Sequence, residues 1–361
     1  MIARTCIAIA AATLLSGTAC AAPLTANQML QQFNVVVSGN LTSTSHVDGR
    51  AYVGLNANGG DYVQHAGDTP ASAYAGLTVG GTLSGNVHVN ALGLVTGGDA
   101  NGINVNNGSS YVAGSASGSS FNGDAWVAGT ASSVNFNGGA HAGSYVNTNH
   151  NNVLAAPTGV MNSTLAASTS TNFGALMTGL SSQLSALHAT AGTSVAYSNN
   201  DSNVLLSGTA VNGVLVFDLT HEDSKIFSSK VTDISFNLGG ATTVIFNTDD
   251  SNLSLNANFN QAQALGSKLI WNFAGHDTSV TVGRTFGGQV LVADGSFSNV
   301  GGANVEGGVF AKTLNQFGEI HLQSFTGSVP TTPVPEPETY AMLLAGLGLM
   351  GAVLRRRKQQ G

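Results

Sequence analysis

Cysteine is absent after position 20. The chain has two, Cys6 and Cys20, both inside what reads as a removable leader. A body without thiols has no disulfides, no thiolate metal site and no cysteine nucleophile. Charge is scarce as well: Asp, Glu, Lys and Arg make up 8% of the 361 residues, against about a quarter in an ordinary soluble domain. Basic residues are the scarcer sign, 11 against 18 acids, for a net charge of -7. Arg4, the basic cluster at 355–358, Glu336 and Glu338 all belong to the chain ends, so the body between them is near -10. A body of that sign repels phosphate backbones, which argues against a nucleic-acid partner.

Catalytic signatures are missing too. There is no G-x-S-x-G elbow, no Walker loop and no H-E-x-x-H; His221-Glu222 runs into Asp223-Ser224-Lys225, without the second zinc histidine. The nine histidines, His46, His65, His88, His141, His150, His188, His221, His276 and His321, show no metal-ligand spacing. Each reads as solvated or packed. The acid pairs Glu222-Asp223 and Asp249-Asp250 would serve a hydrolase or lyase only if the fold turned them into one cleft. The run Asn247–Asn252 is dense in oxygen donors suited to calcium, but it lacks a periodic Gly-Asp ladder and reads as a polar turn. No cofactor is expected.

What the chain has in quantity is glycine, 47 residues, set among short alternating runs of Val, Ile, Leu and Phe. Tyr111–Ala125 aligns with Trp126–Ala140 at an offset of 15 residues, and His141-Ala-Gly143 begins a degraded third copy. Looser relatives lie upstream at 36–40, 47–54, 77–81 and 85–89. Alternation turns one apolar row inward, and Gly or Asn at the end of each run reads as a left-handed corner. Stacking such units buries a core that none buries alone. The expected fold is mainly β, a parallel β-solenoid. The segment from about 159 to 192 breaks the pattern: Phe173, Leu176, Met177, Leu180, Leu184 and Leu187 fall on one helical face. An amphipathic helix is expected there, clamped along the solenoid side. It has no Lys or Arg, which argues against a membrane-surface role.

The N-terminus combines Arg4, an apolar run from Cys6 to Leu15 and the small-residue site Ala19-x-Ala21. This is the pattern of a secretory signal peptide, residues 1–21, cleaved after Ala21. Gly17 stands where a lipobox wants a Leu-like residue, so Cys20 does not read as a lipid anchor. At the other end Pro335-Glu336-Pro337 is followed by a short apolar segment, Tyr340 to Leu354, and then Arg355, Arg356, Arg357 and Lys358. Basic residues stay cytoplasmic and leave the body outside. This tail, residues 329–361 with its Pro-rich spacer, resembles the PEP-CTERM sorting signal. The resemblance implies transient insertion of a C-terminal hydrophobic helix in the inner membrane, then processing by an exosortase-type protease. It further implies a Gram-negative bacterium that makes exopolysaccharide.

The body, residues 22–328, carries Phe33–Leu41 with Val47-Asp-Gly-Arg50, then Leu269-Ile-Trp-Asn-Phe273, Gly288–Ala293, Asn304–Lys312 and Gly318–His321. In this order, with the helix between, it resembles the choice-of-anchor A family from about Phe33 to Gly327. That resemblance implies an adhesive role and brings no catalytic residues. The reading is therefore an exported, non-enzymatic surface or matrix protein whose partners are the sorting protease and extracellular polysaccharide or surface proteins. Trp126 and Tyr111 are candidates to stack on sugars, or else core residues. Two alternatives remain. An ice-binding solenoid needs a flat ladder of Thr-x-Thr or similar pairs on successive rungs, but Thr42-Ser-Thr44 and Thr169-Ser-Thr171 stand isolated and no ladder is visible. A carbohydrate-active enzyme would need a carboxylate cleft.

Overall fold

The computed structural model describes residues 21–157 and 159–330. Of the processing residues only Ala21 falls within it; Ala19, the Pro335-Glu336-Pro337 motif, the C-terminal apolar segment and Arg355–Arg357 lie outside the described residues. Among the described residues, 26 strands join in one sheet wound as a parallel solenoid, and a second sheet has four. The expected fold class is what is found.

The first coil shows how the sequence makes three faces. Val35–Val37, Leu41–Ser43 and His46–Val47 are its strands, separated by turns at 38–40 and 44–45. Leu41 and Ser43 point inward and Thr42 is exposed, the period-2 alternation of a strand with one wet side. The repeat seen in the sequence becomes a register: Tyr111 pairs with Trp126 and Val112 with Val127, and Phe121 stacks on Phe136 with centroids 5.6 Å apart. In the other half a larger aromatic column fills the core, with Phe217 to Phe246 at 4.9 Å and Phe246 to Trp271 at 4.1 Å.

Coil order in space differs from chain order. On one side of Val35–Val37 the stack runs through Ala51–Val53, Leu77–Val79, Leu94–Thr96 and Ser110–Val112 to Ala125–Ser132 and Gly139–Val146. On its other side lies Val309–Gln316, and then Gln289–Asn299, Leu269–Phe273, Thr243–Thr248 and Val214–Asp218. The first coil therefore sits mid-stack, sealed against the last. Short helix α1 (Ala26–Gln32), with a Thr25–Gln28 capping box, leads into it.

Between the halves the chain runs back along the solenoid as two helices, α2 (Val160–Ser168) and α3 (Phe173–Ser185). The single helix expected over 159–192 is interrupted because Asn172 caps a new start, its side chain accepting the Ala175 N–H at 3.1 Å. Phe173, Met177, Leu180 and Leu184 of α3 are buried against Val36, Val216, Ile245, Ile270, Leu291 and Phe310. These six are the outward residues of the covered face, which explains why those strands read as unbroken apolar runs. Each such side chain taken out of water contributes about 1.5–3 kcal/mol, enough to hold a helix that isolated chemistry would leave marginal. A buried asparagine pair pins it: Asn247 Nδ2 donates to the Leu184 carbonyl at 2.8 Å, and Asn272 Nδ2 to Asn247 Oδ1 at 2.9 Å.

One local expectation is corrected. Gly80-Gly81 and Gly97-Gly98 do sit at corners, but none has positive φ. They are glycine because consecutive coils approach too closely there: a Cβ on Gly98 would meet the Gly81 carbonyl carbon at 2.8 Å and Thr82 N at 2.9 Å. Gly301 and Gly302, at φ 63° and 75°, are left-handed corners as expected.

Candidate interaction face

The face that follows the helix-covered one carries the most regular chemistry in the molecule. In the C-terminal half Ser254, Thr281, Ser298 and Asn315 are register partners on successive rungs. Asn315 then pairs with Thr42 of the first coil, and the row continues through Asn58, Ser84, Asn101, Ser117 and Ser132. It ends at Val146. Each residue two positions earlier is also polar, giving pairs such as Ser279-x-Thr281, Thr82-x-Ser84 and Ser115-x-Ser117. Rungs are about 4.8 Å apart and residues i and i+2 about 6.7 Å apart, so the two rows make a lattice roughly 43 Å long.

The absence of a ladder in the sequence reading is thus corrected: a ladder is present, of mixed Ser, Thr and Asn. Coil lengths vary, with 26 residues between Asn58 and Ser84 but 16 between Asn101 and Ser117. Four of the ten row residues, Ser254, Thr281, Ser298 and Asn315, also come from the far end of the chain. Neighbouring rungs hold each other in place: Asn58 Nδ2 donates to Ser84 Oγ at 3.0 Å and Ser117 Oγ to Asn101 Oδ1 at 2.7 Å. In the second row Asp99 Oδ1 accepts the Ser115 N–H at 2.8 Å. Thr42, Asn58 and Ser117 are exposed and the others half-buried or exposed, so the lattice is a wet surface with hydroxyl and amide groups left for a partner.

The third face holds a cluster that sequence spacing could not show. His88 Nδ1 lies 2.6 Å from Asp61 Oδ1, and Asp61 Oδ2 lies 3.2 Å from His46 Nε2. His46 Nδ1 is 3.3 Å from Glu319 Oε1, whose other oxygen is 2.7 Å from His321 Nε2. His321 Nδ1 closes the run at 2.7 Å from Glu306 Oε1. These three histidines, expected to be solvated or packed, are partly exposed and each is paired with a carboxylate. Burial disfavours charge on His321, but hydrogen bonds to Glu319 and Glu306 and the Asp48 charge outweigh it, so its pKa is raised above 6.5. The bond to His321 holds the Glu319 carboxyl below the ordinary 4.5, against the effect of its partial burial. An open depression of about 530 Å³ lies over this run, lined by His46, Asp48, His65, Glu306, Glu319 and His321 among others.

The other candidates resolve as follows. Trp126 is half-buried on the helix-side face and its indole N–H donates to the Ala155 carbonyl at 2.8 Å; Tyr111 lies beside it in register. Neither belongs to the polar face. The acid pairs do not form a cleft. Asp223 is buried and its carboxylate accepts the backbone N–H groups of Ser224, Asp249 and Asp250 at 2.8, 3.3 and 3.3 Å. Of the 247–252 run, Asn247 and Thr248 end a buried strand, Asn252 begins the next, and only 249–251 form the expected turn, tied to the Asp223 carboxylate. Burial, and then the Asp223 charge, raise the Asp250 pKa. Among the described residues one group has metal-ligating atoms within 4.8 Å of one another, His276, Asp277 and Asp294. It is solvent-exposed, and the Lys312 ammonium already sits 2.9 Å from Asp294.

The residues of the Phe33–Leu41 and Val47–Arg50 stretches weld the coils. Asn34 Nδ2 donates to the Gly307 carbonyl at 2.7 Å and its oxygen accepts the Gly49 N–H at 3.0 Å. Asp48 Oδ2 accepts the Leu322 N–H at 3.1 Å. Arg50 is buried, bonds four backbone carbonyls and, among the described residues, meets no carboxylate; burial lowers its pKa to about 10.

A family model described as an ice-binding-like adhesive domain matches residues 26–322. The chain belongs to this family. The match spans the solenoid from α1 to the last strand, so both halves and the helices between them are one adhesive-family domain. A PEP-CTERM protein-sorting motif matches residues 333–358, which marks the protein as exported to the cell surface and implies processing by an exosortase. No curated protein and no solved structure matches the chain. Among the described residues no helix is long and apolar enough to cross a membrane.

Proposed function

We propose that this adhesive-family protein acts at the cell surface or in the extracellular matrix, with the Ser/Thr/Asn lattice as its contact surface. The observation that carries the reading is the unbroken row from Ser254 to Ser132 across both halves of the solenoid. Hydroxyls and amides at a fixed repeat suit an extended, hydroxyl-rich partner, and exopolysaccharide is the class that fits. Each contact is weak; many in register give avidity without any deep pocket. Adhesion rather than catalysis is also what the family supports, and a link to biofilm and the finer choice-of-anchor A likeness belong to the same proposal.

The processing scheme is part of it. Residues 1–21 leave as a signal peptide cut after Ala21. The body spans 22–328, and the tail 329–361 halts in the inner membrane until the sorting protease cuts near Pro335-Glu336-Pro337. Pro330 is held by α3, its carbonyl accepting from Gln183 Nε2 at 2.6 Å. The last described residue therefore lies on the helix side, away from the polar face.

A second reading, ice as the partner, is favoured by the same lattice and by the family's description. The deciding experiment presents the full chain to a panel of exopolysaccharides and matrix proteins, with and without calcium, and measures thermal hysteresis beside it. Saturable glycan binding lost in Thr42→Tyr supports the first reading. Hysteresis lost in the same variant supports the second. Binding untouched by Thr42→Tyr, mid-row and exposed, removes the lattice from either.

A further inference from the structure

The His–carboxylate run of the third face crosses five consecutive coils. His88 is on the third coil, Asp61 on the second and His46 on the first; His321 and Glu319 belong to the last coil and Glu306 to the one before it. Its middle, His46–Glu319–His321, lies on the joint where the first coil meets the last. That joint is thinnest here. On the helix-side and polar faces the two coils pair over three register positions each, and on the third face over one, Val47 with Ile320.

Both ring nitrogens of His46 face carboxylate oxygens, and so do both of His321. A neutral imidazole has one N–H and one lone pair. In that form each ring would turn a lone pair toward a carboxylate, and only the imidazolium supplies two donors. With three histidines charged, the run sets three positive charges against four carboxylates, Asp61, Glu319, Glu306 and Asp48; with them neutral, the four carboxylates face one another unopposed. His65 is the one further titratable group lining the depression, and no Lys or Arg lines it.

We propose that these six side chains form a proton-operated clasp at the joint between first and last coils, closed when the His321 ring donates from both nitrogens and loosened when it loses a proton. The sign follows from linkage. A histidine whose folded pKa is raised contributes stability that is complete below the unfolded value near 6.5 and is lost as pH rises through the folded value. Glu319, lowered, contributes stability that is lost only as pH falls through its folded pKa. The clasp is therefore tightest between the ordinary values, 4.5 for Glu319 and 6.5 for His321, and loosens as pH rises through the raised His321 pKa.

The test uses the full chain. Hydrogen exchange follows the Asp48 amide, which donates across the joint to Ile320, and as reference the Gly97 amide, which donates to Val79 within one half. The NMR titration of the His321 ring is recorded in parallel. Each pH unit between the unfolded and folded histidine pKa values changes the opening ratio by up to about tenfold. The expected result is an opening equilibrium at Asp48, corrected for intrinsic exchange, that rises several-fold or more from pH 6 to 9 while Gly97 holds, with His321 titrating above 6.5. His321→Gln, which keeps one donor and does not titrate, should flatten the Asp48 response. Equal pH dependence at both amides, a His321 midpoint below 6.5, or an unchanged response in His321→Gln would each overturn the proposal. If that variant does not fold, the wild-type exchange and titration decide alone.

Discussion

Asn272→Ala tests how the helix is held to the solenoid. Asn272 is fully buried under α3. Its carbonyl oxygen accepts from Ser181 Oγ at 2.7 Å; its amide donates to the Ser181 carbonyl at 3.1 Å, Ser185 Oγ at 3.0 Å and Asn247 Oδ1 at 2.9 Å. Truncation removes all four and strands Ser181 Oγ and Asn247 Oδ1 in a dry space. With two buried groups left unpaired at about 1–3 kcal/mol each, and some relaxation of the hydroxyls, the cost is about 3–4 kcal/mol. For a body of some 300 residues the unfolding entropy is on the order of 0.6 kcal/mol/K, so the midpoint falls by roughly 5 °C. Urea and thermal unfolding of the full chain read the total. Hydrogen exchange tells where it is lost, because α3 amides should lose protection before the coil containing Gly97. Ser181→Ala with Asn272→Ala should cost less than the two separately, since they share bonds. A destabilisation under about 1 kcal/mol, or equal loss of protection in remote coils, would refute the view that the asparagine pair pins this helix.

Two further substitutions check the corner chemistry. Gly98→Ala should cost about 2 kcal/mol or more, because its Cβ meets backbone that cannot swing away; Gly67→Ala, with open space and ordinary φ, should stay within about 0.5 kcal/mol of wild type in the same denaturation series. Asp223→Asn should destabilise the 249–250 turn and lower the Asp250 pKa, read by NMR titration, since the Asp223 charge is second only to burial in raising it. An unmoved Asp250 midpoint would mean that Asp223 is not felt there.

The parts legible in the sequence were those set by short-range periodicity. The 15-residue repeat, the alternating strands and the helical spacing of Phe173, Met177, Leu180 and Leu184 each report a face on one element, and each became that face. What escaped were relations between elements. Ser298 and Thr42 lie two rungs apart in space because the first coil takes a middle position, and no one-dimensional offset reveals that. The His46–Glu319 pair fails to show for the same reason. The stretches around Asn34 and Arg50 stood out in the sequence and turned out to serve the weld, while the polar face is made of ordinary Ser, Thr and Asn, residues that carry no local signature beyond their place on a rung.

The mid-stack position of the first coil also sets a timetable. Asn34 reaches the Gly307 carbonyl across 273 residues of chain, and contacts so distant form late because the intervening chain must first be closed into a loop. An amino-terminal coil that emerges first waits with one edge bare. It has no completing neighbour until Val309–Gln316 has followed, close to the end of the body. Folding of the joint is thereby deferred until almost the whole domain is present, which makes an intact carboxyl-terminal third a condition for sealing the first strands.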